Sequence, residues 1–171
     1  MRHVAFAPVA RADAVALILG SLPGRESLEK REYYARRANQ FWPIMGALVG
    51  ASPDLAYAAR LEVLRAHRIA LWDVCASAMR AGSLDTAIVA PVVNDFAAFL
   101  DEHPAIRLIC FNGGKAEALF RTHVPPALVP GELGRDIRYR RLPSTSPAYA
   151  AMRPAGKAAA WRATLEAAVV V

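Results

Sequence analysis

Two polar stretches of this chain hold residue types able to do chemistry on a bound ligand. The first is Gly20-Ser21-Leu22-Pro23-Gly24, followed by Ser27, Tyr33, Tyr34 and Asn39 and closed by Phe41-Trp42-Pro43. The second is Ser144-Thr145-Ser146-Pro147-Ala148. Glycine lets the backbone turn tightly and come close to a ligand. Serine hydroxyls and the Asn39 amide donate and accept hydrogen bonds, while the aromatic rings offer stacking faces. Neither Gly20–Gly24 nor Ser144–Ala148 contains a carboxylate or an imidazole, so a strong general base is missing from both motifs. A third string, Asn112-Gly113-Gly114-Lys115, has the look of a phosphate loop. It lacks the upstream glycine of that pattern, and Ala116 stands where Ser or Thr is needed, so a nucleoside triphosphate site is rejected.

These stretches need a scaffold, and the apolar pattern supplies one. Val15–Leu19 is five apolar residues in a row that stop at Gly20, which predicts a strand buried on both faces. Ile69–Trp72 predicts a second strand ending at Asp73, Leu108–Phe111 a third ending at Asn112, and Ile137–Leu142 a fourth feeding Ser144–Pro147. Helices are expected between them. One starts at Phe41, and one runs Leu55–His67 behind a Ser52-Pro53-Asp54 start. Phe96–Glu102 is capped by Asn94-Asp95 and followed by Pro104, and the last two are Lys115–His123 and Lys157–Val169. Strands alternating with helices predict an α/β fold, a three-layer αβα sandwich around a central, mainly parallel four-stranded sheet. Each candidate segment then falls just after a strand, at the sheet end where ligands bind in open α/β folds.

At 171 residues the chain is expected to be one domain, residues 1–171, with a substantial core. No apolar run reaches the roughly 18 residues that a membrane span needs. The N-terminus lacks a signal-peptide pattern, which predicts a cytoplasmic protein with no membrane association. His3, His67, His103 and His123 show no metal-ligand spacing, so no metal and no cofactor are expected. Cys75 and Cys110 lie in apolar segments and are expected to be buried free thiols.

Charge is distributed unevenly. Arg135, Arg138, Arg140, Arg141, Arg153, Lys157 and Arg162 are opposed within their stretch only by Asp136, so this stretch carries the chain's entire net charge of +6. A basic run flanking Ser144–Ala150 is the footprint expected of a track for a phosphate backbone.

The order GSLPG, then Asn39-Gln40-Phe41-Trp42, then Ser144-Thr145-Ser146-Pro147 resembles the uracil-DNA glycosylase superfamily over most of the chain. It is most similar to the hypoxanthine-DNA (deoxyinosine) glycosylase branch, which carries a Ser after the first Gly and a Ser-Thr-Ser-Pro run. The resemblance implies a monofunctional enzyme of base excision repair. It would hydrolyse the N-glycosidic bond of a deaminated base, hypoxanthine or alternatively uracil, in DNA. It also implies a flipped nucleotide held in a pocket. Some relatives hold an iron-sulfur cluster, which needs four Cys ligands; two cannot hold one. A monomer whose partner is DNA containing a deaminated base is expected. No lysine stands in either motif to suggest strand cleavage.

The resemblance also assigns roles. Many relatives place Asp, Asn or Glu near Ser21 and His or Asn at Ser144. Here both are Ser, which moves the catalytic load onto Asn39, with Ser21 beside it. Asn39 is expected to orient water or stabilise the sugar transition state through its amide; the alternative is that it caps the Phe41 helix. Gly20, Leu22, Pro23, Gly24, Tyr34 and Asn112 are expected to line the base pocket. Phe41 is expected to stack on the base or else to be a core aromatic. Ser144, Thr145, Ser146 and Pro147 would press the DNA backbone, with Arg153 and Lys157 nearby. Where relatives often have a Leu wedge, Ala148 is too small, leaving Tyr149 or Met152 to probe the duplex.

Asp73 is expected to share the pocket with Ser21. Adenine presents a lone pair at N1 and hypoxanthine an N1–H; cytosine presents a lone pair at N3 and uracil an N3–H. An ionised carboxylate only accepts hydrogen bonds, so it attracts both deaminated bases and repels the normal ones. Guanine also has N1–H, and closure by the Leu22 loop is expected to exclude its 2-amino group. The alternative is that Asp73 braces the turn near Ser77. Two further function classes fit the motifs: a damaged-DNA-binding module with weak or lost chemistry, and a hydrolase of free nucleosides or nucleotides.

Overall fold

The computed structural model describes residues 1–125 and 136–169. Four strands, β2 (Ala16–Gly20), β3 (Ile69–Asp73), β6 (Leu108–Asn112) and β7 (Arg138–Leu142), form a parallel sheet in the order β3-β2-β6-β7. Every residue of β2, β3 and β6 is buried. This explains their unbroken apolar runs, since a strand covered on both faces has no side for polar residues.

The two faces are covered by different helices. Leu17 and Leu19 pack with Phe96, Phe99 and Leu100 of α4 (Phe96–Glu102) and with Ala116, Leu119 and Phe120 of α5 (Gly114–His123). Ala16 and Ile18 pack on the opposite face with Phe41 and Met45 of α2 (Phe41–Val49), Leu64 of α3 (Tyr57–Ala66), and Trp161 and Leu165 of α6 (Pro154–Val169). This is the expected three-layer αβα sandwich. Register sets the site: Gly20 pairs with Asp73, and Asn112 with Leu142. The last residues of all four strands therefore lie along one sheet end.

Four features differ from the sequence expectation. Helix α3 starts at Tyr57 because Ser52 Oγ accepts from the Asp54 N–H, and the Leu55 N–H donates to the Ser52 carbonyl. Residues 52–55 are thus a turn rather than the first helical turn. Helix α6 starts three residues earlier than expected, at Pro154. A short helix, α1 (Arg25–Lys30), fills the loop after the first motif. A second, antiparallel sheet in the order β1-β4-β5 joins β1 (Arg2–Val4), β4 (Cys75–Met79) and β5 (Val89–Val93). Its strands are short and half exposed, and Pro91 stands inside β5, so no clean alternation marks them. Strand β4 follows β3 after only Val74, and the Val74 and Cys75 N–H groups donate to the Gly20 and Ser21 carbonyls, so the chain runs on beside the first motif.

Cys75 and Cys110 are buried free thiols as expected, and burial pushes them up to about 11 and about 12 respectively. Among the described residues, no helix is long and apolar enough to cross a membrane.

Candidate active site

A cleft of about 620 Å³ opens at the carboxyl end of the parallel sheet, within the size range of small-molecule pockets. The Gly20–Gly24 loop, Tyr34, Asn39, Asp73, Asn112 and residues Ser144–Tyr149 all line it. Most of the residues singled out from sequence are thereby brought together.

The first motif is held by its carbonyls. Gly20 O accepts from Val74 N at 2.8 Å and Ser21 O from Cys75 N at 3.1 Å. Leu22 O accepts from Arg80 Nη1 at 3.3 Å, and Pro23 O accepts from Arg80 Nη2. Four successive carbonyls are therefore tied to the segment that leaves β3. Arg80 is buried, and its Nε also donates to Gly82 O. One guanidinium fork thus ties the first-motif loop to the turn after β4, a geometry that a lysine cannot reproduce.

The second motif is anchored through Thr145. Its N–H donates to Asn112 Oδ1 and its Oγ1 accepts from Asn112 Nδ2, both at 2.9 Å. Its carbonyl accepts from the Gln40 N–H at 2.9 Å. Thr145 is 0% exposed. The expectation that it presses DNA is therefore corrected: it knots three cleft loops together. The Asn112 amide, although it lines the cleft, is engaged by that knot.

Asn39 lines the cleft, and its Oδ1 accepts from the Phe41 N–H at 2.9 Å. From one residue outside the cap position, Gln40, Asn39 thus meets the first N–H of α2, which fixes the amide, and among the described residues its Nδ2 has no partner. Phe41 is corrected. It is fully buried, stacked on Tyr34 at 4.1 Å and edge-on to Trp42 and Trp161, and it does not line the cleft. Of the aromatic cluster around Phe41, Tyr33 and Tyr34 line the cleft, and Tyr34 is held at φ 53°, an unusual backbone state for a bulky residue.

Asp73 and Tyr34 form the floor. Asp73 is 3% exposed; among the described residues its Oδ2 accepts no hydrogen bond, and the Tyr34 hydroxyl, beside the Asn112 side chain, makes none of good geometry. The brace toward Ser77 is absent; the turn is held instead by Asn94 Nδ2 donating to the Asp73 carbonyl. Burial, reinforced by Asp85 and opposed by Arg80, pushes the Asp73 carboxyl up to about 7. Burial, followed by the Asp73 charge, pushes the Tyr34 phenol up, so it stays a donor. Leu22 turns its side chain into the core, while the Gly20–Gly24 loop that carries it lines the cleft.

The DNA-facing expectations divide. Ser144, Ser146, Pro147, Ala148 and Tyr149 line the cleft, and Tyr149 is 41% exposed. Met152 lies against Gly156 and does not line the cleft, and Arg153 is exposed but outside it. Lys157 is corrected: at 3% exposure it donates to Ser146 O at 3.0 Å and braces the loop from beneath. Arg138, Arg140 and Arg141 are exposed on β7, which edges the sheet, and Arg135 lies outside the described residues. The cations that line the cleft are Arg25 and Arg36, from the first-motif side.

Sequence reasoning missed Asp85. It enters the cleft from a 3-10 turn at Asp85–Ala87, and Ser21 Oγ donates to its Oδ1 at 2.7 Å. No local motif surrounds it, and a pairing across 64 positions leaves no spacing signal. Among the described residues, no His/Cys/Asp/Glu group is arranged to hold a metal.

The chain is similar to known proteins along most of its length. Residues 7–168 match the sequence model of the uracil DNA glycosylase superfamily. A protein named hypoxanthine DNA glycosylase from Methanosarcina acetivorans is 46% identical over 101 residues, covering 58% of this chain and 64% of that protein. Another of that name from Methanosarcina barkeri is 38% identical over 117 residues, covering 68% of this chain and 74% of that protein. A solution NMR structure of a proposed uracil DNA glycosylase from Methanosarcina acetivorans superposes with a TM-score of 0.73 at 36% identity, covering 95% of this chain and 98% of that one. With a family match running from ahead of the first strand of the parallel sheet to the final helix, the chain belongs to the uracil DNA glycosylase superfamily.

Proposed function

We propose that this chain is a monofunctional DNA glycosylase that removes a deaminated base, hypoxanthine foremost, in base excision repair. The observation that carries this reading is the pair of unpartnered polar atoms at the cleft floor, the Tyr34 hydroxyl and Asp73 Oδ2. One is a donor and the other, when ionised, an acceptor, and both belong to side chains that crowd Gly20. Hypoxanthine presents the complementary edge, O6 as acceptor beside N1–H as donor. Adenine presents the reverse, a donating N6 amine beside an accepting N1. Buried polar groups that lack partners cost about 1–3 kcal/mol each, so a ligand satisfying both is favoured and one that opposes both is rejected. Uracil offers the same pattern through O4 and N3–H, and its excision is the secondary expectation. The names of the two Methanosarcina relatives support hypoxanthine as the first base to test.

In this reading Asn39, its amide fixed by the Phe41 N–H, acts by orientation and electrostatics rather than as a base. The test is a panel of labelled oligonucleotides with one deoxyinosine, deoxyuridine or deoxyxanthosine, treated with alkali after incubation, with free nucleosides as a separate arm. Alkali-dependent breaks at deoxyinosine support the reading. Turnover of free nucleosides alone, or tight binding without breaks, contradicts it.

A further inference from the structure

The cleft holds three acidic residues at three depths. Glu26 is exposed at the rim and faces Arg36 at 4.0 Å. Asp73 is buried at the floor. Asp85 is intermediate in exposure and lies between them in that sense. A base seated against Asp73 and Tyr34 places its sugar one ring outward, toward the mouth. The carboxylate at that intermediate depth belongs to Asp85.

Its surroundings suit the part. Ser21 Oγ donates to Oδ1 at 2.7 Å, which fixes the carboxylate and, among the described residues, leaves Oδ2 without a protein partner. The turn that carries it is held a second time, where the Arg25 N–H donates to Ser83 Oγ at 3.1 Å. Arg80 and Lys115 act on Asp85 as the nearby positive charges and Asp73 as the nearby negative one. Arg80 is already committed to the Leu22, Pro23 and Gly82 carbonyls. The hydroxyl of the first motif therefore positions a carboxylate borrowed from the β4–β5 connection, although the motif itself has none.

We propose that Asp85, held by the Ser21 hydroxyl, is a catalytic residue: it faces the cationic sugar of the transition state and takes the proton of the attacking water. This rests on the glycosylase reading. The C1′–N9 bond breaks and its electron pair leaves with the base. The oxygen of a solvent water bonds to C1′, and one proton of that water passes to Asp85 Oδ2. The base anion regains a proton from solvent, and Asp85 returns its own there. The products are the free base and an abasic sugar with a C1′ hydroxyl. Asn39, as a donor, complements this by serving the side that becomes negative.

The test is single-turnover excision from a deoxyinosine duplex across pH, with duplex affinity measured on the same proteins. Asp85→Asn keeps an acceptor for Ser21 and loses the base. Its expected rate is about 100-fold or more below wild type, within the range for a lost general base, with duplex affinity within about threefold. Because Asp73 at the floor titrates as well, the acid limb of the profile is read in an Asp73→Asn background, where it should persist and should vanish when Asp85→Asn is added. Ser21→Ala should move that limb to higher pH, because a hydrogen bond to the ionised carboxylate is gone. An Asp85→Asn rate within about threefold of wild type with the limb intact overturns the proposal. If that variant does not fold, an unmoved limb in Ser21→Ala overturns it. A wild type that excises nothing from any duplex removes the glycosylase reading itself, and the proposal with it.

Discussion

Gly20 and Asp73 end neighbouring parallel strands in direct register, and a β-carbon on Gly20 would lie 2.5 Å from Asp73 Oδ1 and 2.9 Å from the Tyr34 hydroxyl. A methyl there forces the Asp73 carboxylate and the Tyr34 hydroxyl to shift. Gly20→Ala should therefore destabilise the fold by about 1–3 kcal/mol, the usual cost of overpacking, and abolish excision. Denaturant unfolding checks the first effect. Gly20→Ala/Asp73→Ala should recover much of the lost stability, since the nearest clash is removed. No recovery would show that the strain lies elsewhere.

Asp73 gives a pH dependence with a definite sign. Its folded carboxyl titrates near 7, whereas an unfolded one titrates near about 3.9. Between those values the folded chain binds more protons than the unfolded chain, so this group's contribution to stability declines as pH rises through the window. Asp73→Asn removes that decline, and its Tm relative to wild type should improve from pH 5 to pH 8. Selectivity should move as well. A protonated Asp73 can donate to adenine N1, so the preference for hypoxanthine over adenine should fall as pH drops below 7. A preference independent of pH would count against Asp73 as the base reader.

The salt dependence of DNA binding tests whether Arg36 contacts a phosphate while Lys157 braces a loop. Arg36→Ala should weaken binding and reduce the slope of log K against log salt by about one, as for a lost phosphate contact. Lys157→Met should lower the Tm, because its bond to the Ser146 carbonyl is lost, yet leave the slope unchanged. The opposite pattern would return Lys157 to the DNA surface.

Tyr149 and Met152 are distinguished in the same way. Tyr149 is exposed at the cleft mouth and Met152 is packed on Gly156. Tyr149→Ala should slow excision from a paired duplex by about tenfold and leave single-stranded substrate nearly unaffected. Met152→Ala should change neither by more than about twofold. Comparing the rates on the two substrates decides whether Tyr149 probes the stack.

Three strands of the parallel sheet, β2, β3 and β6, were legible because they are buried on both faces and stop at Gly20, Asp73 and Asn112. The cleft was legible because those stops fall at one sheet end. The second sheet was not, since Pro91 and half-exposed strands blur its pattern. Phe41 and Tyr34 were the hardest to separate. Both are aromatic and near Asn39, and only packing decides that Phe41 supports and Tyr34 faces the cleft. Lys157 looked like a surface cation because sequence carries charge but not depth. Asp85 could not be found at all, because the hydroxyl that marks its place belongs to Ser21.

Asn39 is the motif residue expected to matter for rate with modest effect on folding. Asn39→Ala should cost about 0.5–2 kcal/mol of stability through the lost bond to the Phe41 N–H, while single-turnover excision falls by orders of magnitude. An excision rate that tracks only the stability loss would reduce Asn39 to a cap.

The most direct measurement is mass-spectrometric identification of what leaves a duplex carrying one deoxyinosine under single-turnover conditions. Free hypoxanthine, released in equal amount with an abasic strand that stays intact until alkali is added, is the expected result. No released base, or strand scission without alkali, would contradict a monofunctional glycosylase built on this cleft.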